Sequence, residues 1–519
     1  MPRNQSRISA SSGIIALLAI ANVVLLQEVY LSGESWLVLL VALPLLLLAI
    51  YNRIQKKHAV LRNYPVIGYF RYLSEKVRPE LRQYFFESDL DGRPFNRRQR
   101  SIVYQRAKNE KQTVAFGMQA DPGQPGFEWL AHSLYPVTVQ DKDLRVWIGN
   151  HQCSQPYHAS ILNIGAMSYG ALSKTAVESL NEGARIGGFA HNTGEGGISN
   201  YHLMGGDLIW QIGTGYFGCR DLEGNFSDDL FRENAQKPQV KMIELKLSQG
   251  AKPGHGGLLP ASKNTEEIAA IRNVQPNTTV ASPPAHSAFS NPQELLWFIA
   301  RLRKLSDGKP VGFKLCIGNT KEFREICRAM ITTGILPDFI TIDGAEGGTG
   351  AAPLEFTDHL GMPLHDALAF ASRTLEEFDL KDGIRLLASG RLITGFDILK
   401  TLSLGADAVY SARGMMFALG CVQALQCDSG KCPAGVATQD PKLYKGIDIT
   451  DKKQRVANFH GNTIKAVVEL MEACGFKTIS EITADKFFRK TDALTTRSFA
   501  DIYKLHESAI ANSKHSLLN

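Results

Sequence analysis

The chain has 519 residues and lacks several signatures that would send its reading elsewhere. No long run of Lys and Arg interleaved with aromatics occurs, and the net charge of +6 is small for the length, so nucleic acid is not an expected partner. No Gly-x-Gly-x-x-Gly follows a first strand, which argues against a dinucleotide-binding Rossmann half. There is no low-complexity segment, and no internal repeat beyond an alternation of strand and helix. Cysteine is sparse: Cys153, Cys219, Cys316, Cys327 and Cys474 are scattered, as in a reduced protein of a reducing compartment rather than a disulfide scaffold. A hydrophobic content of 44% with 21% charged residues fits an ordinary globular core.

The other cysteines are clustered. Cys421, Cys427 and Cys432 form a C-x5-C-x4-C-P arrangement that ends on Pro433. Three thiolates at this spacing can wrap a small iron–sulfur cluster, and the proline stops the segment from continuing as helix. An odd number of cysteines suits disulfides poorly, and no fourth ligand for zinc is evident. The competing reading is a set of buried small hydrophobes.

The amino terminus carries two apolar runs, Ile14 to Leu26 and Trp36 to Tyr51, each near the lower length limit for a spanning helix. Arg3 and Arg7 precede the first; Arg53, Lys56, Lys57 and Arg62 follow the second; the connection carries only Glu28 and Glu34. The positive-inside rule then gives a membrane hairpin with both ends, and the catalytic domain, in the cytoplasm. A cleaved signal peptide or a buried helical hairpin are the alternatives. Residues 1–57 are therefore read as the hairpin and 58–150 as a juxtamembrane and lead-in segment with turn clusters at Asp91–Pro94 and Asp121–Gly126. The basic run Asn96–Arg100 is either a contact with anionic headgroups or a solvated face.

From about residue 158 short apolar strands alternate with amphipathic helices, as expected of a (β/α)8 barrel over residues 151–475. A doubly wound sheet is the alternative. Strands are expected at 160–164, 240–247, 311–315, 339–343, 384–388 and 408–410. Residues 476–519 read as a helical tail, with helical spacing at 485–490 and 499–510. Gly- and hydroxyl-rich loops fall after strand ends, where a barrel builds its active site. They begin at Gly165 (with Met167 and Ser168), at His191 (with Glu195), and, after an expected third strand, at Gln249 (with Lys252 and His255). Others begin at Asp343 (with Gly347 and Gly348), at Ser389 (with Gly390 and Arg391), and at Ser411 (with Ala412 and Arg413). The last two are the usual phosphate cradle of this barrel, so a phosphorylated cofactor is expected there, with Arg391 or Arg413 adding charge. Lys314 lies within a strand; buried, it would need an acceptor such as the anionic edge of a reduced flavin, and otherwise it reaches solvent at the strand end.

These motifs, in this order, resemble the FMN-binding synthase domain of glutamate synthases: Met-Ser-Tyr-Gly-Ala-Leu-Ser, Asn-Thr-Gly-Glu-Gly-Gly, Gln-Gly-Ala-Lys-Pro-Gly-x-Gly-Gly, Ser282-Pro-Pro-x-His286, Gly-Gly-Thr-Gly-Ala-x-Pro353 and Cys-Pro-x-Gly-Val-Ala-Thr-Gln439. The resemblance covers about residues 135–475. It implies an oxidoreductase acting on a CH–NH2 group, with FMN beside a 3Fe-4S cluster on Cys421, Cys427 and Cys432. In the family, reduced flavin delivers a hydride to the imine of 2-oxoglutarate and ammonia. Carried over, Met167, Ser168, Lys314, Gly347, Gly348, Ser389, Gly390, Arg391, Ala412 and Arg413 would bind FMN. Glu195, Lys252 and His286 would be catalytic, and Gln249, Lys252 and His255 would meet substrate.

Two departures bear on the expectation. The family's glutamine amidotransferase has no counterpart, so ammonia, another amine or a partner would supply nitrogen. His255 and Leu258 stand where the family usually has Glu and Gln, which bears on the choice of substrate. An activity using methylamine to make N-methylglutamate, or a membrane-tethered flavin and iron–sulfur electron carrier, are the variants. Electrons would come from a ferredoxin-like protein, a reductase subunit or a membrane quinone.

Overall fold

The structure is a computed structural model that describes residues 10–505 apart from Ser35 and Lys111. The expected tail helix beyond 505 and the charges Arg3 and Arg7 lie outside the described residues. The chain divides into two compact units, Met1–Arg97 and Arg98–Asn519.

In the first unit, α1 (Ala10–Ser32) and α2 (Trp36–Ile54) are long and apolar enough to cross a membrane, on length and composition. Most of their large apolar side chains are exposed, among them Leu17, Ile20, Leu40 and Leu47. Asn22 interrupts the apolar run of α1. Its Nδ2 donates to Leu18 O at 2.9 Å and across to Ala42 O of α2 at 3.0 Å. A single amide thus ties one helix to the other, a device favoured where no water competes. A further helix, Gly68–Leu81, runs on as a wider turn, Arg82–Phe86.

The second unit is built on eight parallel strands that close into a barrel. They are β1 (Leu162–Ile164), β2 (His191–Asn192), β3 (Leu208–Ile212), β4 (Val240–Lys246), β5 (Val311–Leu315), β6 (Phe339–Asp343), β7 (Arg385–Ser389) and β8 (Ala408–Ser411). Closure is made where Val409 of β8 pairs with Leu162 of β1. β3 is not among the expected strands. Its Leu-Ile-Trp-Gln-Ile is buried at every position, so it has no alternation to read. The Gln249 loop consequently follows the fourth strand, not the third.

Acidic residues just ahead of strands seal the amino-terminal end of the barrel. Asp338 Oδ2 takes Arg303 at 2.9 Å and the Val311 N–H at 2.8 Å, while Asp407 binds Lys381 at 3.1 Å and the Leu386 N–H at 2.8 Å. The hairpin of Arg145–Ile148 and Tyr157–Ser160 packs Ile148 and Ala159 into one apolar cluster with Ile209, Met242, Phe339 and Leu387. With stability secured at this end, the carboxyl end is left for chemistry.

Around the barrel, α3 (Lys174–Gly187) lies against α4 (Ile449–Cys474). Gly183 marks a close approach: a Cβ there would meet Val456 Cγ1 at 2.6 Å and Lys453 O at 2.9 Å. The helix Arg97–Ala107 buries Arg100, Val103 and Ala107, so the basic run at 96–100 is more than a solvated face. Its end is held by Asn458 Nδ2 to Ala107 O at 3.0 Å and Asn462 Nδ2 to Arg106 O at 2.8 Å.

The tail differs from the expected helices. Phe487–Lys490 is a strand between Glu128–Leu130 and Thr496–Ser498 in a three-stranded antiparallel sheet, and the helix that follows is only Phe499–Ile502. The reason is packing. Phe487 and Phe499 are fully buried, and Phe487 meets Phe396 at 5.9 Å. Glu128 ties the sheet down by binding Lys400 and Arg489, both at 2.8 Å.

Candidate active site

The site grows out of a polar network inside the barrel. Glu244, fully buried on β4, accepts from Asn192 Nδ2 at 2.8 Å, Gln211 Nε2 at 2.6 Å and Thr341 Oγ1 at 2.6 Å. Three donors make a buried carboxylate tolerable. One layer nearer the mouth, Lys314 of β5 is buried and pairs with Asp343 of β6 at 3.5 Å. Burial would lower the lysine, but Asp343, then Glu244, more than offset it and hold Lys314 above its ordinary value. Lys314 therefore stays charged and does not reach solvent; its acceptor within the protein is Asp343. Asp343 also takes the Gly250 N–H at 2.8 Å.

Glu195, from the loop after β2, meets Lys246 at the end of β4, Oε1 to Nζ at 2.7 Å. Burial raises this carboxyl, yet Lys246 first, then Arg272 and Lys252, bring it below the usual carboxylate range. Glu195 is thus an ionised group ringed by three cations. Lys252 is itself buried, donating to Gly256 O at 2.8 Å and Ala351 O at 3.3 Å. Burial pulls Lys252 down and Glu195 supports it. Arg272 is buried too, pushed down to about 10 by burial against the opposing pull of Glu195. A small open pocket lies over Glu195 and Lys246, lined also by Gln249, His255, Gly257 and Pro284.

His286 is buried beneath Lys246. Its Nε2 donates to Lys246 O at 2.9 Å, and its Nδ1 accepts from the Tyr216 hydroxyl at 3.1 Å. A carbonyl only accepts, which fixes the tautomer. Burial pushes the imidazole down to about 4, so it is neutral near pH 7. With both nitrogens engaged, it has neither a proton nor a lone pair for substrate. The structure makes His286 a support for Lys246. His255, in contrast, is exposed at the rim, with its ring centre 5.8 Å from that of Phe356.

The loops after β7 and β8 bring Arg391 and Arg413 together. Burial, then the like charge of Arg391, push Arg413 down to about 10. Arg413 Nη2 donates to Glu346 O at 2.8 Å, and Gly348 lies over its guanidinium, where a Cβ would meet Nη1 at 2.8 Å. Asp343 and Glu346 oppose the repulsion on Arg413, and two guanidiniums at adjoining strand ends beside Gly-rich loops are a donor set that fits a phosphorylated cofactor. Met167 and Ser168 pack on the loop after β2, where a Cβ on Gly194 would meet the Ser168 nitrogen at 2.6 Å. Ser389, Gly390 and Ala412 stand beside the arginines in sequence, and none of these residues lines the cavity over Glu195.

The loop after β6 joins the parts. Ala351 O holds Lys252, Gly348 covers Arg413, and Gly350 lies against Cys427, where a Cβ would meet Cys427 O at 3.2 Å. Gly250 is set more tightly, since a Cβ there would collide with Gly344 O. The cysteine segment is clasped from both sides: Lys263 Nζ donates to Cys427 O at 2.7 Å and Ala437 O at 3.2 Å, and the Tyr104 hydroxyl donates to Cys421 O at 2.6 Å. Burial pushes the Cys421 thiol up to about 12, with Cys427 and Cys432 adding to it, so the three thiols feel one another. Among the described residues no trio of His, Cys, Asp or Glu is drawn in tightly enough for a single metal ion. Three cysteines on one short segment, clasped by the buried Lys263, are the donor set that an iron–sulfur cluster would take.

Lys246, Arg272, Glu244 and Lys263 join the site without having been singled out by the sequence, and Asp343, read there only as the start of a loop, joins it as the partner of Lys314. Lys246 and Asp343 end strands just ahead of the Gly-rich loops, the signal that could have marked them. Lys263 and Arg272 come from elements outside the barrel strands and carry no local signal.

The closed barrel with a charged mouth at its carboxyl end defines a (β/α)8 enzyme. The conserved region in glutamate synthase matches residues 132–477, and the chain belongs to the glutamate synthase family of oxidoreductases, which act on a CH–NH2 group. It is 37% identical over 514 residues to the glutamate synthase large subunit-like protein YerD of Bacillus subtilis, covering 90% of this chain and 97% of that one. The archaeal glutamate synthase (NADPH) of Methanocaldococcus jannaschii is 35% identical over 371 residues, 70% of this chain and 68% of that protein. The ferredoxin-dependent glutamate synthase 2 of Synechocystis is 32% identical over 66% of this chain, which spans 22% of that enzyme.

Proposed function

We propose that the chain reduces the imine of 2-oxoglutarate, or a related 2-oxo acid, and ammonia to L-glutamate, using FMN and a 3Fe-4S cluster. The observation that carries this reading is the ionised Glu195 ringed by Lys246, Lys252 and Arg272. Such a mouth holds surplus positive charge for a dicarboxylate and one carboxylate for an ammonium or a proton. The carbonyl condenses with ammonia with loss of water, and two electrons and two protons then give the amine. FMN, when bound, would supply the two electrons as a hydride. Arg391, Arg413 and the glycines beside them would hold its phosphate, and Lys314 would face its ring. Cys421, Cys427 and Cys432 would hold the cluster.

The chain's own residues do the rest. Lys246, which lines the pocket, meets a substrate carboxylate, and the buried Lys252 and Arg272 behind it add positive field. Glu195, held as a carboxylate beside Lys246, would accept a proton from ammonium before attack and pass it back to nitrogen as the amine forms. His286, neutral and immobilised, fixes the strand end that carries Lys246. Positioning of this kind is the protein's main contribution to cofactor chemistry.

Relatives' names carry different donors, NADPH in one and ferredoxin in another. For this chain a separate donor protein, ferredoxin-like or a reductase subunit, fits the reading. The charge pattern around α1 and α2 supports a place in the cytoplasmic membrane with the barrel facing the cytoplasm.

The test is turnover by the full chain in detergent or nanodiscs with photoreduced flavin as the electron source. Ammonia or methylamine is offered with 2-oxoglutarate. L-glutamate formed with ammonia supports the proposal. N-methylglutamate formed only with methylamine transfers it to the variant activity, and reoxidation by a protein acceptor without any amino acid product indicates an electron carrier.

A further inference from the structure

The first unit holds a surface that neither the barrel chemistry nor the hairpin uses. On the helix Gly68–Leu81 and its continuation Arg82–Phe86, Phe70, Leu73, Val77, Leu81 and Tyr84 recur at helical spacing and form one stripe. All are exposed, Phe70 by 74% and Leu73 by 57%. Phe85 and Phe86 extend the stripe and are more exposed still, at 76% and 78%. Arg71, Glu75, Arg78 and Arg82 form a charged stripe about 120° round the helix by the same spacing. An apolar stripe of this length on a short helix that is otherwise polar is not what a solvated surface helix carries.

Its position says what covers it. The Tyr69 hydroxyl donates to Asn52 Oδ1 at 3.2 Å, and Asn52 lies in the last turn of α2. Leu61, in the short helix Ala59–Asn63, packs on Gly68, where a Cβ would meet Leu61 Cδ2 at 3.0 Å. The start of the helix is therefore fastened to the end of a segment long and apolar enough to span a bilayer. That end is where headgroups meet water. The surrounding chain is strongly basic: Arg53, Lys56, Lys57, Arg62, Arg71, Lys76, Arg78 and Arg82 stand between residues 53 and 86, against Glu75 and Glu80.

We infer that Gly68–Phe86 is an interfacial helix that lies in the plane of the membrane, its Phe70–Leu73–Val77–Leu81–Tyr84 stripe sunk into the headgroup boundary and its basic residues on anionic phospholipid. A large apolar face, a charged opposite face and low overall hydrophobicity are the properties of such helices, which sit about 5–10 Å deep. Basic residues near an anionic surface add to the attraction within a Debye length. The inference rests on α1 and α2 crossing the bilayer. It adds a second attachment that fixes how the segment leaving the membrane is presented.

The test uses the full chain in nanodiscs of phosphatidylcholine with or without phosphatidylglycerol. No native cysteine is exposed among the free thiols. An environment-sensitive fluorophore is attached in turn to Leu73→Cys, Val77→Cys, Arg78→Cys and Arg82→Cys, with Leu40→Cys in α2 as the spanning control. Lipids carry a nitroxide at the headgroup end or deep in the chain. Emission from positions 73 and 77 shifts to the blue and falls about twofold with the shallow nitroxide, more with phosphatidylglycerol present, while positions 78 and 82 stay water-exposed. If position 40 is quenched by deep nitroxide but 73 and 77 are not, the interfacial helix is wrong and the hairpin stands. Failure of position 40 as well would overturn the spanning reading itself. Labels at 73 and 77 that are shielded yet insensitive to every nitroxide lipid overturn the proposal in favour of a protein partner.

Discussion

Lys246 and Lys314 are register partners on neighbouring strands, side by side inside the barrel. Like charges directly across a ladder repel, and burial adds to the cost. Each is matched by its own carboxylate: Glu195 at 2.7 Å for Lys246, Asp343 at 3.5 Å for Lys314. The pairing divides the mouth in two. The Lys246 side opens to the cavity over Glu195, and the Lys314 side runs through Asp343 into the loop that reaches Arg413 and Cys427.

Glu195→Gln removes the acceptor at the centre of the cations. Turnover with 2-oxoglutarate and ammonia should fall about 100-fold or more, the usual scale for a group that moves a proton. Lys246→Met should leave folding intact but shift the acid limb of the kcat/KM profile to higher pH, because the first charge that holds Glu195 below the ordinary carboxylate range is gone. A lowered kcat with an unmoved pH profile would contradict this role for Lys246.

Arg413→Ala should weaken FMN far more than riboflavin. Loss of a charge-assisted hydrogen bond costs about 1.5–3 kcal/mol, which is about 10- to 150-fold in affinity. Titration of apoprotein by flavin fluorescence reads both ligands. Equal weakening of both would place Arg413 away from the phosphate.

Lys263 holds the carbonyls of Cys427 and Ala437. Lys263→Met should lower iron content and move the cluster's reduction potential downward, since a buried positive charge beside the thiolates is lost. Cys427→Ser should abolish the iron-dependent absorption. An unchanged potential in Lys263→Met with full iron occupancy would remove the lysine from this role.

Buried histidines predict acid sensitivity. Burial pushes His286 down to about 4 and His202, His365 and His460 down to about 3. Unfolded, each would take a proton near pH 6.5. Between the unfolded and folded values the unfolded chain binds more protons, so stability is full above pH 6.5 and declines as pH falls towards about 3. Each such histidine contributes a slope of up to about 1.4 kcal/mol per pH unit. The apparent Tm should therefore drop steeply from pH 7 to pH 5. His460→Gln, at a site where the ring contacts Ser160 Oγ at 3.0 Å and Leu162 O at 3.1 Å, should show a shallower drop. A flat profile would contradict the account.

The strands β5 to β8 are readable close to their observed ends because each is a short apolar run bounded by a helix and a Gly-rich turn. The two-residue β2 is too short to give a periodic signal, and β3 is buried on all sides and gives none either. The tail misleads for a different reason: its apolar residues are spaced as a helix would space them, but burial of Phe487 beneath Phe396 and against Phe499 favours a strand. At the site, Glu195, Lys252 and Arg413 are legible because they lie in Gly-rich loops at strand ends. The pairing of Lys246 with Glu195 is not, since it depends on which strands become neighbours on closure. His286 is legible as a position only; its tautomer and its two partners exist only once Tyr216 and Lys246 O come together.

The most direct measurement is made on the full chain purified anaerobically, with flavin and iron quantified and the reduced protein mixed with 2-oxoglutarate and 15N-ammonia. The account predicts bound FMN, iron in the ratio of a three-iron cluster, and reoxidation of the flavin with one 15N-glutamate formed per flavin. Colourless, iron-free protein that cannot be reconstituted, or a reduced flavin that no 2-oxo acid and amine reoxidise, would contradict it.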